Sequence, residues 1–160
     1  MLSTDTLTIR ASSFKDSGTS FSDIGVDVNK YRPDYHDEGV ATNLNNLELT
    51  YANLQYVGAL IINYAATKYN LSVHYFTNNG SGYYNELLQD TITFTYPQLQ
   101  NIKSIGQLID AKSYKPDGYT GKIDYDGELT VEALLLASPI YVLYDKIENE
   151  RSKTITIFYR

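Results

Sequence analysis

The chain of 160 residues contains an internal repeat. Three short segments recur in the same order along the chain: residues 27–35 match 110–119, residues 48–54 match 128–134, and residues 60–64 match 140–144. Self-similarity of this kind predicts two copies of one small structural unit rather than a single large domain. Each copy would have about 60–80 residues, which is close to the lower size limit for an independent hydrophobic core. Tandem copies of a small module favour multivalent contact over catalysis.

Segments with strand-like alternation recur as well. Apolar residues occupy every second position in three places: residues 7–11, 71–76 and 155–159. These segments align with one another, with Leu7, Leu71 and Ile155 in equivalent positions. We expect each to open one copy of the repeat, so that the third marks the start of a possible third copy.

The remaining elements of the repeat have local signals. Asn79-Gly80 is typical of a hairpin turn, and it precedes a predicted strand at residues 90–96. Pro97 suits the first turn of a helix over residues 98–102. Threonines in equivalent positions predict the N-caps of two further helices. In the first copy, Thr50 caps a helix at residues 51–57 and the closing strand is residues 60–64. In the second copy, Thr130 caps a helix at residues 131–137 and the closing strand is residues 140–144.

These signals predict an α+β fold of two tandem, small, β-grasp-like modules, which are rich in strands, have short helices and are arranged end to end. Residues 1–66 form the first module, which is a shortened copy because it has fewer residues between its opening strand and Ile24. Residues 67–160 form a second, fuller module and the opening strand of a possible third. The short connection at residues 65–70 predicts a junction of limited flexibility.

Charge and composition exclude several classes of function. The net charge of -6 and the pI of about 4.8 argue against nonspecific binding to nucleic acid or anionic membranes. No apolar stretch approaches the ~18 residues that membrane insertion needs, and residues 1–20 lack the pattern of a signal peptide. Without cysteine, the chain has no disulfide, thiol nucleophile or Cys-type zinc site. The strand-like residues 154–160 favour a fragment of a longer protein.

Tyrosine supplies the candidate binding residues. The chain has 16 tyrosines and no tryptophan. A tyrosine ring can stack on the apolar face of a sugar while its hydroxyl donates or accepts a hydrogen bond. Loop positions near acidic or amide side chains suit such a shallow site, and five residues fit this description: Tyr83, Tyr84, Tyr119, Tyr125 and Asp117. The alternative is that these rings pack across neighbouring strands.

Two acidic groups could hold a divalent cation, but each also fits a solvated turn. One is residues 34–38, where His36 has three carboxylates around it, and the other is residues 124–128, which fails the EF-hand pattern. His74 alternates with Val73 and is expected at the surface. We predict no metal and no cofactor. The sequence has no Gly-x-Ser-x-Gly turn and no phosphate-binding loop, so we expect no enzymatic activity.

A resemblance to a known family rests on four stretches of the second copy: residues 69–76, the turn at Asn79-Gly80, residues 115–119 and residues 140–144. Together they resemble the mucin-binding-type (MucBP-like) β-grasp repeats of Gram-positive surface adhesins. The resemblance covers most of residues 67–148 and, more weakly, residues 5–66. It implies a non-catalytic repeat of the cell wall or cell surface that acts as an extended stalk in cell adhesion. The resemblance also implies weak, multivalent binding of host or cell-surface glycans and glycoproteins. Neighbouring repeats of the same chain would be further partners.

Similar repeats occur in phage tail and appendage proteins. The alternative is therefore a virion structural repeat of a phage tail, baseplate or appendage that takes part in host attachment. A third interpretation is an accessory domain beside a glycan-degrading catalytic domain. The sequence leaves all three open and does not name the ligand.

Overall fold

A computed structural model of the chain describes residues 3–78, 80, 82–147 and 154–160. The fold is mixed α+β and strand-rich, with two sheets and short helices. The chain divides into two compact units: unit 1 spans Met1–Thr67, and unit 2 spans Lys68–Arg160. No helix in the described part of the chain is long and apolar enough to cross a membrane.

Unit 1 has little regular structure. Its strands β1 (Val40–Ala41) and β2 (Ile62–Asn63) pair antiparallel, and helix α1 spans Tyr51–Val57. The pairing continues beyond β2 to Thr67, whose amide donates to the Tyr35 carbonyl oxygen over 2.9 Å. Three short 3₁₀ helices complete the unit: Ala11–Ser13, Ser22–Ile24 and Thr42–Leu44.

Unit 2 is built on a four-stranded sheet. Its strands are β3 (Tyr69–Asn78), β4 (Asn85–Phe94), β5 (Tyr119–Asp124) and β6 (Ile140–Lys146). Its helices are α2 (Tyr96–Gln100), α3 (Val131–Ala137) and a 3₁₀ helix at Ile105–Gln107. The strand order is β4-β3-β6-β5. The two central strands, β3 and β6, are parallel, whereas β4 and β5 run antiparallel to their neighbours.

Alternation along the central strands creates the core of unit 2. Leu71, Val73 and Tyr75 of β3 are buried, as are Val142 and Tyr144 of β6. These side chains lie on one face of the sheet because successive strand residues point to opposite sides. The rest of the core comes from β4, β6, both helices and the segment before β5: Phe94, Leu99, Ile109, Val131, Leu134 and Ile140.

The two longer helices begin as the sequence predicts. The Thr50 and Thr130 side chains accept hydrogen bonds from the Asn53 and Ala133 amides, each over 3.1 Å, so both predicted N-caps and both predicted helix bounds are confirmed. Helix α2 begins two residues before the predicted start, with Pro97 in its first turn. The predicted antiparallel pairing of two strands around Asn79-Gly80 is also confirmed, although β4 begins five residues before the predicted strand and ends two residues earlier. Asn79 itself lies outside the described residues.

Each unit has a glycine in an equivalent, closely packed position beside its own closing strand. A Cβ atom added at Gly39 would overlap the Val28 carbonyl oxygen and lie 2.9 Å from the Tyr64 ring. In unit 2, a Cβ at Gly121 would lie 3.0 Å from the Ala111 carbonyl oxygen and 3.0 Å from the Tyr144 ring. Both positions therefore favour glycine, because any side chain would meet the backbone or a tyrosine ring.

A tyrosine–carboxylate contact is also common to both units. The Tyr31 hydroxyl donates to Asp5 over 2.7 Å in unit 1, and the Tyr114 hydroxyl donates to Asp90 over 2.9 Å in unit 2. Tyr31 and Tyr114 are equivalent in the repeat, so Asp5 takes the position of Asp90. The contacts therefore relate residues 5–9 to β4 rather than to β3, in agreement with the similarity of Asp-Thr-Leu-Thr-Ile to Asp-Thr-Ile-Thr-Phe.

Several strand predictions need correction. Residues 7–11 form no strand, and a 3₁₀ helix begins at Ala11 instead. Residues 155–159 also form no strand, because a strand requires a paired neighbour and none pairs with them among the described residues. The closing strand of unit 1 is shorter than predicted. Strand β5 was not predicted, because Gly121 interrupts its alternation.

Candidate functional site

The outer face of the unit 2 sheet is the candidate site. Residues that alternate with the core of β3 and β6 point to this face, and two of them are His74 and Tyr141. The prediction that His74 lies opposite Val73 is confirmed, since Val73 is buried and the His74 side chain is partly exposed. This face combines apolar rings with polar groups.

Three rings cluster on the outer face, and we call them the aromatic platform: His74, Phe76 and Tyr141. The Phe76 and Tyr141 ring centroids are 5.2 Å apart with the ring planes at 83°, an edge-to-face arrangement. The His74 and Tyr141 centroids are 6.0 Å apart. The strand register explains the cluster, because His74 pairs with Tyr141 across the parallel β3–β6 ladder. Tyr141 is 41% exposed, so it offers ring area to a ligand.

Polar side chains border the platform on the β4 side. A Glu86 carboxylate oxygen lies 3.8 Å from His74 Nδ1. A shallow, open depression lies next to it, and the side chains that line it on this face are Ser72, His74, Gln89 and Thr91. Hydroxyl, amide and carboxylate groups beside rings are the combination that shallow sugar sites use, because rings stack on C–H faces while polar groups bond the hydroxyls.

Tyr84 extends the outer face toward the β3–β4 hairpin. Its hydroxyl donates to Asp145 Oδ1 over 2.7 Å, and the Asn78 side-chain amide lies 3.4 Å from the same oxygen. The hydrogen bond to Asp145 raises the pKa of the Tyr84 phenol above its usual value. Asp145 is four residues beyond Tyr141 on β6, so Tyr84 and the platform mark the ends of a strip about 13 Å long. We call this strip, from Tyr141 to Tyr84, the outer-face strip.

The other predicted tyrosines separate into two groups. Tyr119 begins β5 opposite Lys146, so it lies at the same end of the sheet as Tyr84. Asp117 is exposed in the preceding turn, and Tyr83 is 76% exposed in the hairpin. Tyr125 follows the opposite end of β5, and its hydroxyl donates to the Glu128 carbonyl oxygen. Burial raises the Tyr125 pKa. The structure therefore brings four of the five predicted residues to one end of the sheet and places Tyr125 at the other.

The first acidic group, residues 34–38, has structural contacts. His36 Nδ1 lies 2.9 Å from the Asp34 carbonyl oxygen, and Asp37 accepts a hydrogen bond from the Thr67 hydroxyl over 2.7 Å. In the part of the chain that the structure describes, no three His, Asp or Glu side chains converge as metal ligands would.

The sequence interpretation missed Phe76 and Tyr141. Their signal is present in the alternation itself, since strand residues between core positions must point to the opposite face. What the sequence lacks is the pairing of β3 with β6, which brings the two aromatic residues together. No protein-family model, no curated protein and no solved structure matches this chain significantly.

Proposed function

We propose that this protein is a non-enzymatic binding module whose outer-face strip contacts extended glycans or glycoproteins. The observation that carries the proposal is the aromatic platform, in which Tyr141 stays exposed beside Phe76 and His74 while polar groups of β4 border it. An open sheet face suits a chain-like ligand, which lies along the strands rather than entering an enclosed cavity.

We propose further that the units are two β-grasp-like modules in tandem. A hairpin, a connection with short helices and a closing strand that returns parallel to the first one support this assignment for unit 2. The shared glycine and tyrosine–carboxylate contacts support it for unit 1. Repeats of this kind would act at a bacterial cell surface as an adhesive stalk, in which weak contacts add up through avidity.

The test is a glycan and mucin binding screen with the protein displayed multivalently. We expect wild-type protein to bind, and Tyr141→Ala to reduce binding at least tenfold because it removes the exposed ring of the platform. Tyr83→Ala/Tyr84→Ala should weaken binding to a smaller extent, since Tyr84 lies at the far end of the strip.

Tyr56→Ala is the matched control, because Tyr56 is 85% exposed on α1 in unit 1 and lies outside the outer-face strip. It removes the same side chain and should bind like wild type. Equal losses for Tyr56→Ala and Tyr141→Ala would contradict the proposed site. Absence of wild-type binding at high multivalency would contradict the binding function and favour a virion spacer.

A further inference from the structure

Residues 154–160 carry the sequence pattern of β3 without its pairing. Ile155, Ile157 and Tyr159 match Leu71, Val73 and Tyr75, which are the buried residues of β3. In residues 154–160 the same pattern is exposed: Ile157 is 60% and Tyr159 is 89% exposed. No strand pairs with this segment among the residues that the structure describes, and an apolar segment with an open backbone edge is a template for strand pairing.

Unit 1 shows the reverse situation. It has counterparts of the two strands that flank β3 in unit 2, but its described residues include no counterpart of β3 itself. Residues 5–9 correspond to β4, and Tyr31 holds Asp5 as Tyr114 holds Asp90. Strand β2 corresponds to part of β6. In unit 2, β6 pairs with β5 on one edge and with β3 on the other. Among the described residues, β2 pairs only with β1, the counterpart of β5, so its second edge is open.

The helices show the same difference. Val131 and Leu134 of α3 are buried in unit 2, where α3 packs on β3. Helix α1 has an equivalent N-cap and length, yet none of its residues is buried. An open depression in unit 1 runs from Phe21 to Val28, whose carbonyl oxygen accepts a hydrogen bond from Tyr64 just beyond β2. Unit 1 therefore has apolar surface where a central strand would pack.

We propose that residues 154–160 of one copy insert into unit 1 of a second copy as its central strand. The inserted strand would run parallel to β2 and antiparallel to residues 5–9. The β3–β6 register transfers directly: Val73 pairs with Ile140 and His74 with Tyr141, so Ile157 pairs with Leu60 and Phe158 with Ile61. Ile155, Ile157 and Tyr159 then face the core of unit 1, and Phe158 faces outward.

Both backbone and side chains favour this pairing. Strand addition satisfies open backbone donors and acceptors, and alternate side chains provide specificity. Charge is complementary, since residues 154–160 carry Arg160 and no acid, whereas residues 1–67 carry eight acidic and four basic side chains. The donor and acceptor surfaces are different, so the contact is heterologous and links copies head to tail, into rings or open chains. The inference goes beyond the proposed binding function and does not depend on it.

Cysteine trapping tests the register, because the chain has no cysteine of its own. The full chain with Phe158→Cys and Ile61→Cys places two thiols on directly opposite residues. Paired strands are about 4.8 Å apart, which is within disulfide reach. We expect mild oxidation to give a ladder of linked oligomers on a nonreducing gel. The matched control is Phe158→Cys with Val40→Cys, since Val40 is also exposed but lies on β1, about 10 Å from the inserted strand.

A ladder from the first pair and not from the second supports the proposal. No ladder, equal ladders from both pairs, or a cross-linked monomer would overturn it, the last because the acceptor would then be in the same chain.

A second measurement uses no cysteine and gives the molar mass in solution by light scattering. We expect wild-type mass to rise with concentration, and Ile157→Lys to remain monomeric because it places a charge in the core of unit 1. Phe158→Lys should still associate, since residue 158 faces outward. Both residues are exposed in the single chain, Phe158 at 76%, so neither change should prevent folding. Loss of association in both variants, or in neither, would overturn the proposal.

Discussion

Units 1 and 2 share helix caps, a glycine–tyrosine contact and a tyrosine–carboxylate contact, yet they differ in their cores. Among the described residues, unit 2 buries eleven apolar side chains and unit 1 buries two, Ile24 and Leu44. Three of the eleven belong to β3, which has no counterpart in the part of unit 1 that the structure describes. Local contacts therefore persist without the central strand, whereas the surrounding apolar surface stays buried only when that strand is present.

The largest expected difference between the units concerns their helices. Leu134→Ala should lower the free energy of unfolding of unit 2 by about 2–5 kcal/mol, because it leaves a cavity against β3. Leu54→Ala at the equivalent position of α1 should cost only about 1 kcal/mol, since Leu54 is half-buried. Urea denaturation followed by amide NMR signals of each unit measures both values. Equal costs would contradict the view that unit 1 lacks a strand beneath α1.

A smaller effect tests what the units have in common. Thr50→Ala and Thr130→Ala each remove one N-cap hydrogen bond of 3.1 Å, and each should cost about 1 kcal/mol. The same denaturation experiment applies, with Thr→Ser variants as controls that keep the hydroxyl. A cost confined to Thr130→Ala would mean that α1 contributes little to the stability of unit 1.

The smallest effect is expected at low pH. The hydrogen bonds from Lys30 and then Tyr31 lower the pKa of Asp5. A carboxyl group whose folded pKa is lowered stabilises the fold above its unfolded pKa, and this contribution is lost as pH falls below about 4. The backbone amide NMR shifts of residues 5–9 should therefore move on acidification more than those of residues 90–94, which stay paired with β3. Asp5→Asn should show these shift changes at neutral pH already, and their absence there would exclude the Asp5 carboxylate as the group that holds this segment.

Some residues of the candidate site can be predicted from local sequence signals, and others depend on contacts between distant segments. The hairpin signal and the local composition predicted Tyr83 and Tyr84, and the structure places Tyr84 against Asp145 on another strand. The sequence also placed His74 on the face opposite Val73. It could not identify Tyr141 as the neighbour of His74, because that contact depends on a parallel pairing across more than sixty residues.

Short-range sequence signals encode the local elements of this protein. Helices α1 and α3 follow from threonine caps and apolar spacing, and the β3–β4 hairpin follows from alternation around a glycine turn. Long-range contacts instead decide the strand order, the presence of β5 and the lack of a strand partner for residues 154–160 among the described residues. The physical reason is that a helix satisfies its hydrogen bonds within its own segment, whereas a strand exists only when a distant segment supplies its partner.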